Sequence, residues 1–137
     1  MTPCFTLRAQ KSEVIIRNAE RAMTAGLEVF DEHFVTVAKF GLMCSAIFND
    51  VQSAEGSGAD FIEGIRRIEA GEVDKIEADG NAWVAHITKD KVWFESLYNQ
   101  GEGGEVSFAQ YKLAVQTYVR FLTDPQHRTI ELPFPQE

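Results

Sequence analysis

Length, composition and charge limit the classes of protein to which this chain can belong. It has 137 residues, of which 45% are hydrophobic and 11% aromatic, and its formal net charge is −8. These values predict one folded domain covering residues 1–137 and argue against a disordered chain. Two cysteines are too few for a disulfide framework, and neither a signal peptide nor an apolar run of ~18 residues is visible. We therefore expect a soluble, cytoplasmic protein.

The negative charge is concentrated in one part of the chain. Residues 55–105 contain twelve acidic and five basic residues, which accounts for −7 of the total of −8. A surface of this sign repels phosphate and attracts basic partners. Direct binding to nucleic acid is disfavoured, because no basic patch is present to displace counterions. A solvated acidic surface without a partner is the simpler alternative.

The first third of the chain predicts a short strand followed by helices. Weak alternation over Pro3–Arg8 predicts the strand, and a helical pattern begins near Ser12, whose hydroxyl can cap it. The strongest periodic signal is an apolar stripe over Met23–Phe48, with the spacings of three and four residues typical of a buried helix. An unbroken helix from Ser12 would be longer than a compact domain of this size. We therefore expect a break at Gly26 or Asp31, of which Asp31 is the better start for a new helix.

The middle of the chain predicts a short helix and then an antiparallel meander. After a Gly/Ser loop at 55–58, Asp60 can cap a helix that ends at Gly71. Hydrophobic residues then recur with a period of two, and the sequences at 79–81 and 89–90 are typical of tight turns. The predicted strands are Val73–Ala78, Ala82–Thr88 and Lys91–Tyr98.

The last part of the chain predicts a loop, a helix and an extended tail. The Gly/Glu segment Asn99–Glu105 is typical of a solvated loop. Ser107 and Gln110 form a capping box for a helix that ends before the Asp-Pro at 124–125, and alternation over 130–134 predicts an edge strand or an arm. The whole pattern predicts an α+β fold, in which an antiparallel meander of three to five strands packs against N-terminal helices and a C-terminal helix.

The sequence contains none of the common motifs for metal binding, nucleophilic catalysis or phosphate binding. His33, His86 and His127 lack the paired spacing of metal ligands, so we predict neither a metal site nor a cofactor. Cys44 lies on the apolar stripe and is expected to be a core residue, whereas Cys4 has no assigned role. No GxSxG elbow is present, and the glycines of the acidic segment are interleaved with glutamates that would repel a phosphate.

One pair of residues has the composition of a general acid–base site. The Lys-Asp sequence at 89–90 is typical of a two-residue turn. With that turn, His86 opposes Trp93, and Glu95 lies one diagonal from His86 on the same face, within reach for proton transfer. A cross-strand salt bridge explains the same pair more often than catalysis does. We therefore predict that the protein is not an enzyme.

A surface for a basic partner explains more of these features. Aromatic residues on the second and third strands of the meander lie beside acidic loops, and aromatic anchors inside an acidic rim are typical of protein interfaces. Burial of the same aromatics in the core is the competing explanation. The predicted partner-binding residues are Glu72, Asp74, Glu77, Asp79, Trp93, Glu95, Tyr98, Glu102 and Glu105.

The order of these elements resembles a family of bacterial proteins. The resemblance is carried by the meander around the GNAW sequence at 80–83 and the DKVW sequence at 90–93, and by the capped helix Ser107–Leu122. In this organisation, roughly the last two-thirds of the chain are similar to the immunity proteins that bacteria carry beside contact-dependent growth inhibition systems and other polymorphic toxins. The resemblance implies a protein that binds a cognate toxin domain, commonly a basic nuclease, and blocks its active site or its substrate approach.

Three functions follow from these observations, in order of preference. The first is an immunity protein whose partner is a toxin domain, with no direct contact to nucleic acid or membrane, present as a monomer or a homodimer. The second is a housekeeping interaction protein that self-associates through surplus apolar surface on Met23–Phe48. The third is a small enzyme that uses His86 and Glu95.

Overall fold

The chain combines two antiparallel sheets with three α-helices. The computed structural model describes residues 4–15, 21–98 and 101–137, and the element counts refer to these residues. This architecture confirms the predicted α+β class. The elements are β1 (Phe5–Ile15), β2 (Arg21–Phe30), α1 (Gly41–Asp50), α2 (Ser57–Glu69), β3 (Lys75–Asp79), β4 (Trp83–Thr88), β5 (Val92–Ser96), β6 (Glu102–Val106), α3 (Phe108–Thr123) and β7 (Ile130–Phe134).

The first sheet joins the beginning of the described chain to its end, in the strand order β2-β1-β7. Leu7 of β1 opposes Val29 of β2, and both side chains are buried. Pro133 lies in β7, an edge strand, where the missing N–H of proline is tolerated. The predicted strands at the start and end of the chain are confirmed, although Pro3 itself lies outside the described residues.

The helix predicted from Ser12, and over the first part of the apolar stripe, is wrong. Residues 23–30 belong to β2, where Leu27 and Val29 are buried and Glu28 between them is exposed, the period of two of a strand. Asp31 does not begin a helix. Its Oδ1 accepts hydrogen bonds from two backbone N–H groups at 2.8 and 3.0 Å, but Phe34 then has a φ of +59° and the chain turns back, so that Val37 N–H donates to the Val29 carbonyl at 2.8 Å. Only the second part of the stripe is helical, as α1, where Cys44 is buried as predicted.

The second sheet is the predicted meander, with strand order β3-β4-β5-β6. Gly80 N–H donates to the carbonyl of Trp83 at 2.8 Å, and Thr88 N–H donates to the carbonyl of Lys91 at 3.0 Å, so both predicted turns are confirmed. His86 opposes Trp93, as the two-residue turn predicts. The sequence of the two turns therefore sets the cross-strand register on which the site below depends.

The segment predicted as a solvated loop forms the fourth strand of this sheet. Gly103 of β6 opposes Phe94 of β5, and Asn99 lies outside the described residues. The pairing shifts register close to Gly104, whose φ is +69°, so a left-handed glycine here accommodates a bulge. A Cβ at Gly104 would also lie 2.6 Å from Leu42 of α1. This strand therefore needs glycine at that position, although glycine is more typical of loops.

All three helices contact one face of the meander. Gly64 of α2 lies against Ile76, Leu42 of α1 lies against β6, and the ring of Tyr111 in α3 is 5.8 Å from that of Phe94. One hydrophobic core contains residues of both sheets and of these helices. The opposite face of the meander is therefore left for other contacts.

The ends of the helices follow from local sequence. Both hydrogen bonds of the predicted capping box at Ser107 and Gln110 are present. α2 begins at Ser57, three residues before the predicted Asp60, and ends as predicted with Gly71 at φ +75° and a hydrogen bond from Glu72 N–H to the Arg67 carbonyl. Within the described ranges, no helix has the length and apolarity needed to span a membrane.

Candidate functional site

The face of the meander that points away from the helices carries most of the predicted partner-binding residues. Glu77, His86 and Trp93 oppose one another across β3, β4 and β5, and paired residues share a face. Glu95 and Glu102 oppose each other in the next row, on β5 and β6. The open face is defined here as Glu77, Asp79, His86, Trp93, Glu95 and Glu102.

The indole of Trp93 lies at the centre of the open face and is held by several neighbours. It stacks on the imidazole of His86, with ring centroids 5.0 Å apart and planes 7° from parallel. Its Nε1–H donates to Oε1 of Glu102. The ammonium groups of Lys75 and Lys91 lie 5.1 and 5.2 Å from the indole centroid, within cation–π range. The side chain is therefore fixed in position while half-buried.

The predicted proximity of His86 and Glu95 is confirmed. Nε2 of His86 is 2.9 Å from Oε1 of Glu95, and Nδ1 is 3.7 Å from Oε1 of Glu77. His86 is only 7% exposed, and its Nδ1 is buried without a hydrogen-bond partner among the described residues. The imidazole thus lies between two carboxylates, with one nitrogen engaged and the other closed off from solvent.

The remaining predicted residues lie around this centre or away from it. Tyr98 is 68% exposed, and its hydroxyl donates to the Asn81 carbonyl at 3.3 Å. Glu105 is 3.4 Å from Lys91, at the edge of the open face. Glu72 pairs with Arg66 beside the end of α2, so it does not join the group.

Asp74, and Phe94 among the aromatic residues of the predicted strands, lie outside the open face. Asp74 is exposed in the segment before β3, next to the sheet but outside the rows of the open face. Phe94 is fully buried on the helix side of the meander, so the core explanation holds for that aromatic. Sequence reasoning did not identify Lys75 and Lys91 as neighbours of Trp93, although Lys75 lies two residues before Glu77 and Lys91 two residues before Trp93, which is the spacing of residues on one face of a strand.

Sequence reasoning also missed Asp50, the last residue of α1. This residue is 5% exposed, and its Oδ1 accepts a hydrogen bond from Ala82 N–H at 2.9 Å, which ties α1 to the β3–β4 turn. A carboxylate at a helix C-terminus opposes the helix dipole. That unfavourable placement is the one signal in the sequence that Asp50 has a tertiary role.

The charge of Asp50 makes the stability of the protein depend on pH. Burial raises the pKa of its carboxyl above the ordinary value, against backbone hydrogen bonds that lower it. A raised folded-state pKa favours the neutral acid, so the contribution of Asp50 is greatest below about pH 3.9 and is lost as pH rises through the folded-state pKa. Asp50→Asn keeps the acceptor oxygen but cannot ionise. We therefore expect this variant to gain stability relative to the wild type as the pH rises through the folded-state pKa of Asp50. Urea unfolding at a series of pH values measures the difference.

Asp124 provides a control of opposite sign. Hydrogen bonds from the Arg128 side chain and from backbone N–H groups lower the pKa of Asp124 to about 2. Its contribution is present above about pH 3.9 and is lost as pH falls through 2. Asp124→Asn should therefore lose stability relative to the wild type above pH 3.9. If the stability difference from the wild type changed with pH in the same direction for both variants, the assignment for Asp50 would be contradicted.

The other candidate ligands and nucleophiles are dispersed. His33 is exposed after β2, and His127 follows α3 with its ring 5.2 Å from that of Phe121. Across residues 4–15, 21–98 and 101–137, no group of three or more His, Cys, Asp or Glu side chains has the arrangement of a metal site. Burial raises the pKa of Cys44 to about 12, which keeps its thiol protonated, and Cys4 is exposed.

Comparison with known proteins identifies no relative of this chain. No protein-family model, no curated protein and no solved structure matches it.

Proposed function

We propose that the protein is an immunity protein, which binds and neutralises a cognate basic toxin domain, such as a nuclease, in the bacterial cytoplasm. The observation that carries the proposal is the open face, where a fixed tryptophan contacts Glu102 and two lysines on a surface that carries four carboxylates. The helices cover the opposite face of the same sheet. The open face is the part of the meander that a partner can reach.

The position of Trp93 suits it to anchor a protein partner. Tryptophan is among the residues that contribute most to binding when a partner desolvates them. The stacking on His86 and the hydrogen bond to Glu102 hold the indole before binding, so little side-chain entropy is lost on association.

The charge around Trp93 selects the kind of partner. Four carboxylates belong to the open face, and a fifth, that of Glu105, lies at its edge. The positive charges beside Trp93 are the two ammonium groups of Lys75 and Lys91. The excess is negative, as it is for the whole segment 55–105. A surface of this sign raises the association rate of a basic protein and disfavours nucleic acid. An inhibitor of a basic nuclease needs both properties.

A small enzyme is the second candidate, supported by the 2.9 Å contact between His86 and Glu95. In that contact Nε2 is already engaged, and Nδ1 is buried away from any substrate. A catalytic histidine must offer one nitrogen to the reacting group. The binding function therefore accounts better for the arrangement of this pair.

The test of the proposal is a calorimetric titration of the protein with the toxin domain encoded beside it. At low salt we expect nanomolar affinity, and the affinity should weaken as the salt concentration rises above ~0.1 M, because screening shortens the reach of the carboxylates. No binding at micromolar concentration would overturn this pairing. It would favour self-association, for which Phe34, Val35 and Phe48 provide exposed apolar surface.

A pair of charge variants separates steering by the open face from steering by net charge. Glu77→Gln/Glu102→Gln should slow association by severalfold at low salt, whereas Glu32→Gln/Glu55→Gln, which removes the same charge at exposed residues outside the meander, should change the rate little. Stopped-flow fluorescence measures both rates. Equal slowing in the two variants would mean that the open face is not the docking surface.

A further inference from the structure

A cavity of about 400 Å³ lies between the start of α2 and the β3–β4 hairpin. The apolar part of its lining comes from the core, where Ile87 is fully buried and Phe61 is 8% exposed. The volume is in the range of small-ligand pockets. The lining also includes Asp50, Asp60, Ile76 and Asp79.

The charged residues that line this cavity are all acidic. Asp60 and Asp79 are exposed, and neither carboxylate has a hydrogen bond or an ion pair with another described residue. Asp50 adds a third, buried carboxylate, whose Oδ1 is engaged by Ala82 N–H. None of the described residues that line the cavity is basic. The cavity thus combines an apolar lining with free negative charge.

The cavity is continuous with the open face. Asp79 belongs to the open face and lines the cavity as well. Asn81 lines it too, and its carbonyl accepts the hydrogen bond from the exposed Tyr98. A partner docked on the open face therefore lies beside the mouth of the cavity.

We propose that the cavity receives a lysine side chain of the basic partner, an inference that rests on the proposed function. The aliphatic stem of lysine packs on apolar surface while its ammonium stays near water and carboxylates. Its compact charge suits two separate carboxylates better than the planar guanidinium of arginine, which prefers one bidentate acceptor. Ile76 and Phe61 contact the stem, and Asp60 and Asp79 hold the ammonium.

The test uses 1-aminopentane as a probe, because it reproduces the stem and the ammonium without the partner. In an NMR titration of the ¹⁵N-labelled full-length protein, we expect saturable millimolar binding that shifts the amide signals of Gly64, Gly80 and Asn81. Two control probes separate the contributions: 1-pentanol has the stem without the charge, and tetramethylammonium has the charge without the stem. Both should bind at least several-fold more weakly than 1-aminopentane.

Variants decide whether the carboxylates act as proposed. Asp60→Asn/Asp79→Asn should weaken the binding of 1-aminopentane about fivefold, as expected for two partly exposed ion pairs. The matched control Glu55→Gln/Glu137→Gln should leave it unchanged. Amide dispersion in the same spectra reports whether each variant is folded.

Three results would overturn the proposal: no saturable shifts with 1-aminopentane, equal binding of 1-pentanol, or unchanged affinity in the folded Asp60→Asn/Asp79→Asn variant. Equal binding of 1-pentanol would mean that the cavity recognises only the aliphatic chain and not the ammonium group. Because the probe needs no toxin domain, these outcomes are independent of the titration that tests the proposed function. A cavity that binds the amine in a protein that binds no toxin domain would refute the function while keeping the amine site.

Discussion

Replacing Gly80 by alanine is expected to lower the free energy of unfolding by about 3 kcal/mol, at the upper end of overpacking effects. A Cβ at this position would lie 2.0 Å from Cγ and 2.4 Å from Cβ of Asp50. A rotation of the carboxylate alone cannot relieve a clash with Cβ, so the backbone of α1 or of the β3–β4 turn must move. That movement breaks the hydrogen bond from Ala82 N–H to Asp50. Urea unfolding followed by circular dichroism measures the loss.

Gly103 provides the matched control for this prediction. It also lies in the meander, but a Cβ there would have no heavy atom within 4 Å, and its φ is not in the left-handed region. Gly103→Ala should therefore change stability by less than about 1 kcal/mol. Equal destabilisation by the two substitutions would mean that the meander rejects any added side chain and that Asp50 has no special role.

Replacing Trp93 by alanine is expected to weaken binding of the toxin domain by about 100-fold, the effect of losing a central hot spot. The substitution removes the aromatic surface in the middle of the open face. It also leaves the Glu102 carboxylate without its indole donor and His86 without its stacking partner. Calorimetry with wild type and variant at the same salt concentration measures the ratio of the dissociation constants.

Two further variants show whether the effect comes from Trp93 itself. Trp93→Phe keeps an aromatic ring on His86 but removes the Nε1–H donor, so it should recover part of the affinity. Phe48→Ala removes a partly exposed aromatic on α1, outside the meander, and should leave affinity unchanged. If Trp93→Ala is folded and binds as tightly as the wild type, the open face is not the interface.

The meander could be predicted because its information is local. The turns at 79–81 and 89–90 have sequences that favour tight hairpins, and a hairpin turn determines which residues oppose each other. The contact between His86 and Glu95 follows from that register alone. The capping box at Ser107 is local in the same sense.

The strand β2 could not be predicted because its pattern fits two structures. The spacing of Met23, Leu27 and Phe30 fits a helix, whereas the alternation through Leu27 and Val29 fits a strand. The choice depends on pairing with β1, which the residues of β2 do not encode. β6 shows the same limit, since its pairing with β5 makes it a strand, although its glycines and glutamates are typical of a loop.

The site could be predicted only in part for the same physical reason. Partners on adjacent strands of the meander follow from register, as for His86 and Trp93. Contacts between distant elements do not, and these include the burial of Asp50 under the β3–β4 turn and the cavity beneath α2. Sequence reasoning therefore found the open face but not the pocket beside it.

The pairing of β1 with β7 has a consequence for the order in which the protein is made. Phe5 opposes Phe134, so the first sheet joins residues separated by almost the whole chain. During synthesis, the edge of β1 that pairs with β7 stays free until β7 leaves the ribosome, and two paired strands alone are marginally stable in water. The closing of this long loop is the slow and entropically costly step. The residues of β1 are synthesised before those of β7 and are thus among the last of this fold to reach their native environment.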